Sequence, residues 1–209
     1  MSGVDLILHY FPKLTLDQRQ KIATLDKLYL EWNEKINVIS RKDTDNFYER
    51  HVLHSLAISK IIEFKKDTKI LDIGTGGGFP GVPLAIMYPE CNFFLVDSIG
   101  KKVKVVNEVC KALGLSNVIG MHERAENIND KFDFIVSRAV TAMPKFLSWT
   151  KGKFTKENRN DLKNGILYLK GGDLEGEMAD VNKKIQYYAI EDFYAESFFK
   201  SKKVVYIQA

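Results

Sequence analysis

Asp72, Gly74, Gly76, Gly78 and Gly81, with Phe79 and Pro80 among them, are the residues of this 209-residue chain whose spacing most directly implies chemistry. They follow the short apolar run 69–71 and precede Pro83, and proline suits a first helical turn, where its missing N–H costs nothing. The pattern reads as strand, glycine turn, helix start. Glycine tolerates positive φ and lets the backbone approach a ligand closely, while a helix N-terminus offers free N–H donors. Roughly twenty residues on, Asp97 closes a second apolar run, where a carboxylate accepts hydrogen bonds from ribose hydroxyls. Taken alone, Asp97 reads as the N-cap of the next helix. With the glycine loop it predicts a site for a nucleoside.

Two registers fit the loop. Gly76-x-Gly78-x-x-Gly81 has dinucleotide-binding spacing, but there the first glycine should follow the strand directly and a pyrophosphate should lie on the helix N-terminus. Asp72-x-Gly74-x-Gly76-x-Gly78 has the acidic glycine-rich spacing of loops that hold S-adenosylmethionine, whose amino-acid zwitterion and sulfonium tolerate a carboxylate that would repel phosphate. Asp72 favours the second register. Asp97 serves either ligand.

The composition, 45% hydrophobic and 28% charged, describes one soluble globular unit with a full core. No apolar run approaches the ~20 residues needed to span a bilayer, and residues 1–12 lack the pattern of a cleaved signal, which predicts a cytoplasmic protein. Cys91 and Cys110 form no metal spacing and read as small buried hydrophobes in a reducing compartment. A net charge of +4 permits a nucleic-acid partner without requiring one.

The elements that must position these residues follow from periodicity. Thr15-x-x-Gln18 is a capping-box signature, and Ile22, Leu25, Tyr29, Trp32 and Ile36 predict one long amphipathic helix. A second helix is expected over 45–64. His51 and His54, three apart on it, lack an evident third metal ligand and read as core or capping histidines. Strands are then expected at 69–73, 92–97, 117–121, 132–137 and 165–169, with helices at 81–87, 101–113, 143–150 and 174–184. This βαβ alternation predicts a parallel sheet. Residues 151–164, polar and lysine-rich, read as an exposed loop or frayed helix, and the runs 186–192 and 203–208 as an antiparallel edge.

Arg124-Ala125-Glu126 falls where an adenine-binding segment would lie after the third strand, and Ser137-Arg138-Ala139 ends the fourth, where a methyl acceptor would meet its donor. The chain has no Asn-Pro-Pro-aromatic run suited to exocyclic amines and no Pro-Cys nucleophile. A nucleophile with its own lone pair, such as guanine N7, needs neither, since alignment and desolvation supply the acceleration. Arginines would then serve phosphates rather than the base, which becomes cationic on methylation.

Several blocks carry a resemblance across most of the chain: Trp32-Asn33-x-x-Ile36-Asn37 with Ser40-Arg41, Arg50-His51-Val52-Leu53-x-Ser55, the loop from Asp72 through Leu84, Asp97-Ser98-x-Gly100-Lys101-Lys102, Ser137-Arg138-Ala139 and Leu169-Lys170-Gly171. In this order they resemble the bacterial glucose-inhibited division protein B family of small-subunit rRNA guanine-N7 methyltransferases. The resemblance implies methyl transfer from S-adenosylmethionine, leaving S-adenosylhomocysteine, to N7 of a guanine in 16S rRNA of a small-subunit ribosomal particle. It implies donor contacts at Gly74, Phe79, Ala125, Glu126 and Arg138, beside Gly76 and Asp97 from the motif itself. Arg138, following a buried strand, is the expected catalytic residue, and Arg41, Arg124 and Lys170 are the expected RNA contacts, with Lys101, Lys102 and Lys104 an outer set. His54 stands where many members have Asp, Gly77 replaces a Pro or Ala, and 151–164 is longer than usual.

The expected architecture is an α/β, class I S-adenosylmethionine-dependent methyltransferase: a helical extension (1–66) beside a Rossmann-like core (67–209) with a seven-stranded, mostly parallel sheet, forming one compact monomeric unit without a metal. Two other functions fit parts of the pattern. A nicotinamide-dependent oxidoreductase explains the glycines and Asp97, although the chain has no Tyr-x-x-x-Lys pair. A non-catalytic RNA-binding scaffold explains the basic residues but leaves the glycine loop idle.

Overall fold

Seven strands form a single sheet in the order β3-β2-β1-β4-β5-β7-β6. The strands are β1 (Lys69–Ile73), β2 (Asn92–Asp97), β3 (Val118–His122), β4 (Phe134–Arg138), β5 (Gly165–Gly171), β6 (Ile185–Ala189) and β7 (Lys202–Gln208). The first five run parallel; β7 is antiparallel to both β5 and β6. This computed structural model describes residues 3–179 and 181–209, with Arg41 and Lys42 described by backbone alone.

Alternation along the strands sorts the core into two layers. Ile70, Phe93, Leu95, Phe134, Val136, Leu167 and Leu169 join one apolar cluster, and Leu71, Ile73, Val96, Ile135, Ile166 and Tyr168 join the other. The first layer contains helices Gly81–Met87 and Gly100–Ala112 together with the buried residues of the N-terminal helices, so residues 3–64 share one core with the sheet. The second contains Met143 and Phe146 of helix Met143–Thr150.

Helix α2 (Leu16–Asn33) starts at the expected capping box: Thr15 Oγ1 accepts from the Gln18 N–H, and the Gln18 side chain accepts from the Thr15 N–H. It ends at Asn33, short of Ile36, because the Asn33 Oδ1 accepts the N–H groups of Val38 and Ile39, at 2.8 Å each, and turns the chain. A helix not expected from the pattern, α1 (Val4–Tyr10), precedes it.

The continuous helix expected over 45–64 is replaced by short turns of different pitch: a 3-10 segment Arg41–Asn46, a π-helical turn Tyr48–Leu53, one α turn His54–Leu56 and a 3-10 turn Ala57–Lys60. Val52, Leu53, Leu56, Ala57 and Ile58 are all fully buried. Packing of that broad apolar face, at about 1.5–3 kcal/mol per large side chain, outweighs the propensity differences between helix types.

Within the expected 174–184 helix, the described residues are helical at Glu175–Met178. Gly176 weakens it, and Glu177 is taken by Lys170 and by the Met143 N–H. Residues 151–164 form a loop, but one anchored in the structure rather than exposed throughout. Lys153, Asn160 and Asn164 are buried, Phe132 bridges to Phe154, and the Asn160 side chain accepts from the Lys65 N–H at 2.8 Å. Cys91 and Cys110 are buried free thiols, whose pKa values burial raises to about 11 and about 12. Among the described residues no helix is long and apolar enough to cross a membrane.

Candidate active site

The carboxyl ends of β1, β2, β3 and β4 converge around the topological switch point between β1 and β4, where open α/β sheets bind their ligands. The loop leaving β1 is held rigidly. Gly74 and Thr75 both donate N–H bonds to the Val96 carbonyl, at 2.8 and 3.0 Å, and Gly78 and Phe79 donate to the Thr75 carbonyl. Gly74 has φ +67°, and a Cβ on it would lie 2.5 Å from a Val140 methyl. Gly76, at φ +60°, has open space on that side and donates its N–H to Asp97 Oδ2 at 2.9 Å.

Asp72 braces the loop from behind. Its buried Oδ2 accepts from the Thr75 hydroxyl at 2.6 Å and the Gly81 N–H at 2.9 Å, while Oδ1 has no partner. Burial raises its pKa to about 7 against those two hydrogen bonds. From the opposite side Tyr29 of α2 donates to the Gly77 carbonyl at 2.5 Å. The N–H groups of Gly74, Thr75, Gly76, Gly78 and Phe79 are thus all engaged within the protein, as are those of Gly81 and Val82 at the helix start. A pyrophosphate would find no row of free donors here, which decides against the dinucleotide register.

Beside the loop lies a cavity of about 300 Å³ bounded by Gly74, Val96, Asp97, Lys102, residues 123–126, Val140 and Trp149. Asp97 forms one wall. Its Oδ1 accepts the Ile99 N–H at 2.9 Å and its Oδ2 that of Gly76, leaving further lone pairs for ligand hydroxyls. Val96, Ala125, Val140 and the half-buried Trp149 supply an apolar surface suited to a nucleobase. Glu123, Glu126 and Asp97 outnumber Lys102 and Arg124 in the lining, so it carries both signs with an acidic excess. These residues fit a nucleoside joined to a zwitterion better than a polyphosphate.

The structure brings Gly74, Asp97, Arg124, Ala125 and Glu126 together in that cavity, with Gly76 joined to it through Asp97. It puts Phe79 and Arg138 elsewhere, under the loop and against the N-terminal helices. Phe79 is buried, its ring 4.8 Å from that of Tyr29 and 5.1 Å from that of His51. The Arg138 guanidinium lies 5.2 Å from the Phe79 ring and donates to the Arg50 carbonyl at 2.9 Å and to His51 Nδ1 at 2.8 Å. Burial lowers its pKa to about 10. Ser137, just before it, donates to the Ile73 carbonyl at 2.8 Å and ties β4 to the loop's origin.

Lys170 is committed within the protein, 2.5 Å from Glu177 Oε1 and 3.0 Å from the Thr141 carbonyl. Arg41 lies on the 3-10 segment, its side chain outside the described residues. His51 and His54 are both buried, and burial together with the Arg138 charge holds their pKa values low, that of His51 at about 3.

Tyr29, Trp149 and His51 are the members of this neighbourhood whose part sequence reasoning missed. Tyr29 reads as one more apolar position of α2, and nothing local marks its hydroxyl as a clamp. Trp149 lies in the helix expected at 143–150 with nothing local to mark it; its place at the cavity depends on how that helix packs against the Ala125–Asn127 segment.

Comparison with known proteins identifies the family and the fold. The sequence model of the GidB family, described as rRNA small subunit methyltransferase G, matches residues 18–205. The chain is 56% identical over 204 residues to the ribosomal RNA small subunit methyltransferase G of Christiangramia forsetii, covering 98% of this chain and 96% of that one. It is 57% identical over 204 residues to the protein of the same name from Flavobacterium psychrophilum, covering 98% and 97%. Among solved structures, an SAM-dependent methyltransferase from Aquifex aeolicus shares the fold with a TM-score of 0.56 at 15% identity, over 78% of this chain and 92% of that one. A mutant of MtNAS in complex with S-adenosylmethionine gives 0.56 at 14% identity, over 94% and 77%. With the family model spanning nearly all of α2 and of the seven strands of the sheet, this chain belongs to the GidB family, rRNA small subunit methyltransferase G.

Proposed function

We propose that this protein transfers the methyl group of S-adenosylmethionine to N7 of a guanine in 16S rRNA, within a small-subunit ribosomal particle, acting as a monomer in the cytoplasm. The observation that carries this reading is the family match over residues 18–205 on a chain whose glycine loop, Asp97 and the 124–126 segment surround one nucleoside-sized cavity. Bound there, S-adenosylmethionine supplies a sulfonium-activated methyl group. Gly74 and Gly76 admit the ligand's close approach, Asp97 accepts from the ribose hydroxyls, and Ala125, Glu126 and Trp149 flank the base. Phe79 supports Arg138 from beneath the loop, and Arg138 orients an anionic group of donor or acceptor.

Guanine N7 carries its own lone pair, so the protein's task is alignment and exclusion of water rather than removal of a proton. Arg124 and Arg41 are assigned to rRNA phosphates, whereas Lys170, paired with Glu177 and bonded to the Thr141 carbonyl, holds the loop after β4 instead of contacting RNA.

The test is a map of 7-methylguanosine in 16S rRNA from cells with and without the gene, paired with methylation of isolated small subunits by purified protein. One modified guanine lost on deletion and restored in vitro is expected; identical maps would overturn the assignment. Titration with S-adenosylhomocysteine and with NAD separates this reading from an oxidoreductase, and turnover separates it from a silent RNA-binding scaffold.

A further inference from the structure

Arg138 is a largely buried cation, and among the described residues no carboxylate lies within ion-pair distance of it. Its contacts are with neutral groups: the Arg50 carbonyl at 2.9 Å, His51 Nδ1 at 2.8 Å and the face of Phe79. Guanidinium has five N–H donors and no acceptor, so Nδ1 must be the accepting atom and the imidazole proton must sit on Nε2. His51 is itself fixed, buried against the rings of Phe47 and Phe79 at 5.9 and 5.1 Å, which also pack on each other, and it sits on the π-helical turn that also presents the Arg50 carbonyl.

We propose that His51 is the positioning residue of Arg138: as a neutral Nε2–H imidazole it aims the guanidinium without quenching its charge, which stays available to an incoming oxyanion. A carboxylate at position 51 would hold the arginine equally well but neutralise it. Two N–H groups are used by these contacts and three remain. The oxyanion is either the donor's carboxylate or an rRNA phosphate. This inference rests on the methyltransferase reading for the identity of the oxyanion, but not for the dyad itself.

Long-range proton–nitrogen spectra of the full chain test the dyad without any ligand. His51 should show the Nε2–H tautomer, unprotonated at neutral pH, with an Nδ1 resonance that moves in Arg138→Gln. The Nδ1–H tautomer, or no response to Arg138→Gln, overturns the proposal. Function then separates positioning from mere support. His51→Leu should weaken S-adenosylhomocysteine binding, or raise KM for small subunits, by about tenfold, and His51→Asp should do the same despite its stronger acceptor, whereas His51→Asn, which keeps an acceptor near Nδ1, should stay within about threefold.

In the Arg138→Gln background, His51→Leu should cost nothing more, since residues acting as a unit are not additive. Loss of donor affinity identifies the carboxylate, and loss confined to KM for small subunits identifies phosphate. Additive effects, or a His51→Leu variant with both constants unchanged, overturn the proposal. A wild-type protein that shows the dyad yet methylates no rRNA would overturn the proposed function and leave the dyad standing.

Discussion

The phenolic oxygen of Tyr29 lies 2.5 Å from the carbonyl oxygen of Gly77, so an N-terminal helix donates a hydrogen bond directly into the glycine loop. The same ring packs on Phe79 and Phe47. The N-terminal helices are thereby part of the site and do more than cover the sheet.

Tyr29→Phe keeps that packing and removes the hydroxyl, leaving the Gly77 carbonyl without its donor. A loss of about 1–3 kcal/mol is expected, the cost of a buried group left unpaired. Chemical denaturation measures it, and S-adenosylhomocysteine titration should show weaker binding as the loop loosens. Unchanged stability and affinity together would mean the clamp is idle.

The two cavity glycines should respond differently to alanine. At Gly76 only the left-handed backbone resists, at about 1–2 kcal/mol. At Gly74 the same strain is joined by a collision with Val140. Gly74→Ala should therefore lose more than tenfold in S-adenosylhomocysteine affinity and melt well below Gly76→Ala, by calorimetry on the two variants.

Asp72 makes stability depend on pH. Its folded pKa of about 7 lies above the ordinary 3.8, so the contribution is fully present below about pH 4 and is lost as pH rises through 7. His51 and His54 act in the opposite sense, destabilising the fold as pH falls below 6.5. Asp72→Asn should remove only the first dependence, gaining on the order of 3 kcal/mol on wild type between pH 5 and pH 8. Parallel denaturation curves at both pH values check this; an equal offset at the two would contradict it.

Trp149→Ala should weaken S-adenosylhomocysteine by about tenfold with the fold intact, the usual worth of one aromatic surface to a base. Asp97→Ala should cost more, because that carboxylate also holds the Gly76 and Ile99 N–H groups. Isothermal titration with circular dichroism on each variant separates ligand contact from loop support.

The sequence by itself determined the sheet and the chemistry of the loop. Short, near-continuous apolar runs alternating with helical stretches could form little but a buried parallel sheet, and strands β1, β2, β4 and β5 lie within a few residues of where the pattern predicts them. The capping box at Thr15 and the glycine spacing were legible for the same reason: each is a local backbone requirement met by neighbouring residues.

Tertiary structure alone decided how distant parts meet. The helix expected over 45–64 became a succession of π, α and 3-10 turns because buried contacts set its path. Asp72, which in the sequence marks the S-adenosylmethionine register, braces Thr75 and Gly81 from behind the loop, since strand alternation and the loop's return fix where its side chain points. The same long-range packing carries Arg138 past the cavity to His51, 87 residues away in the chain. No local pattern encodes that pairing, because its energy comes from burial and from one hydrogen bond that exists only after the helices have closed over the sheet.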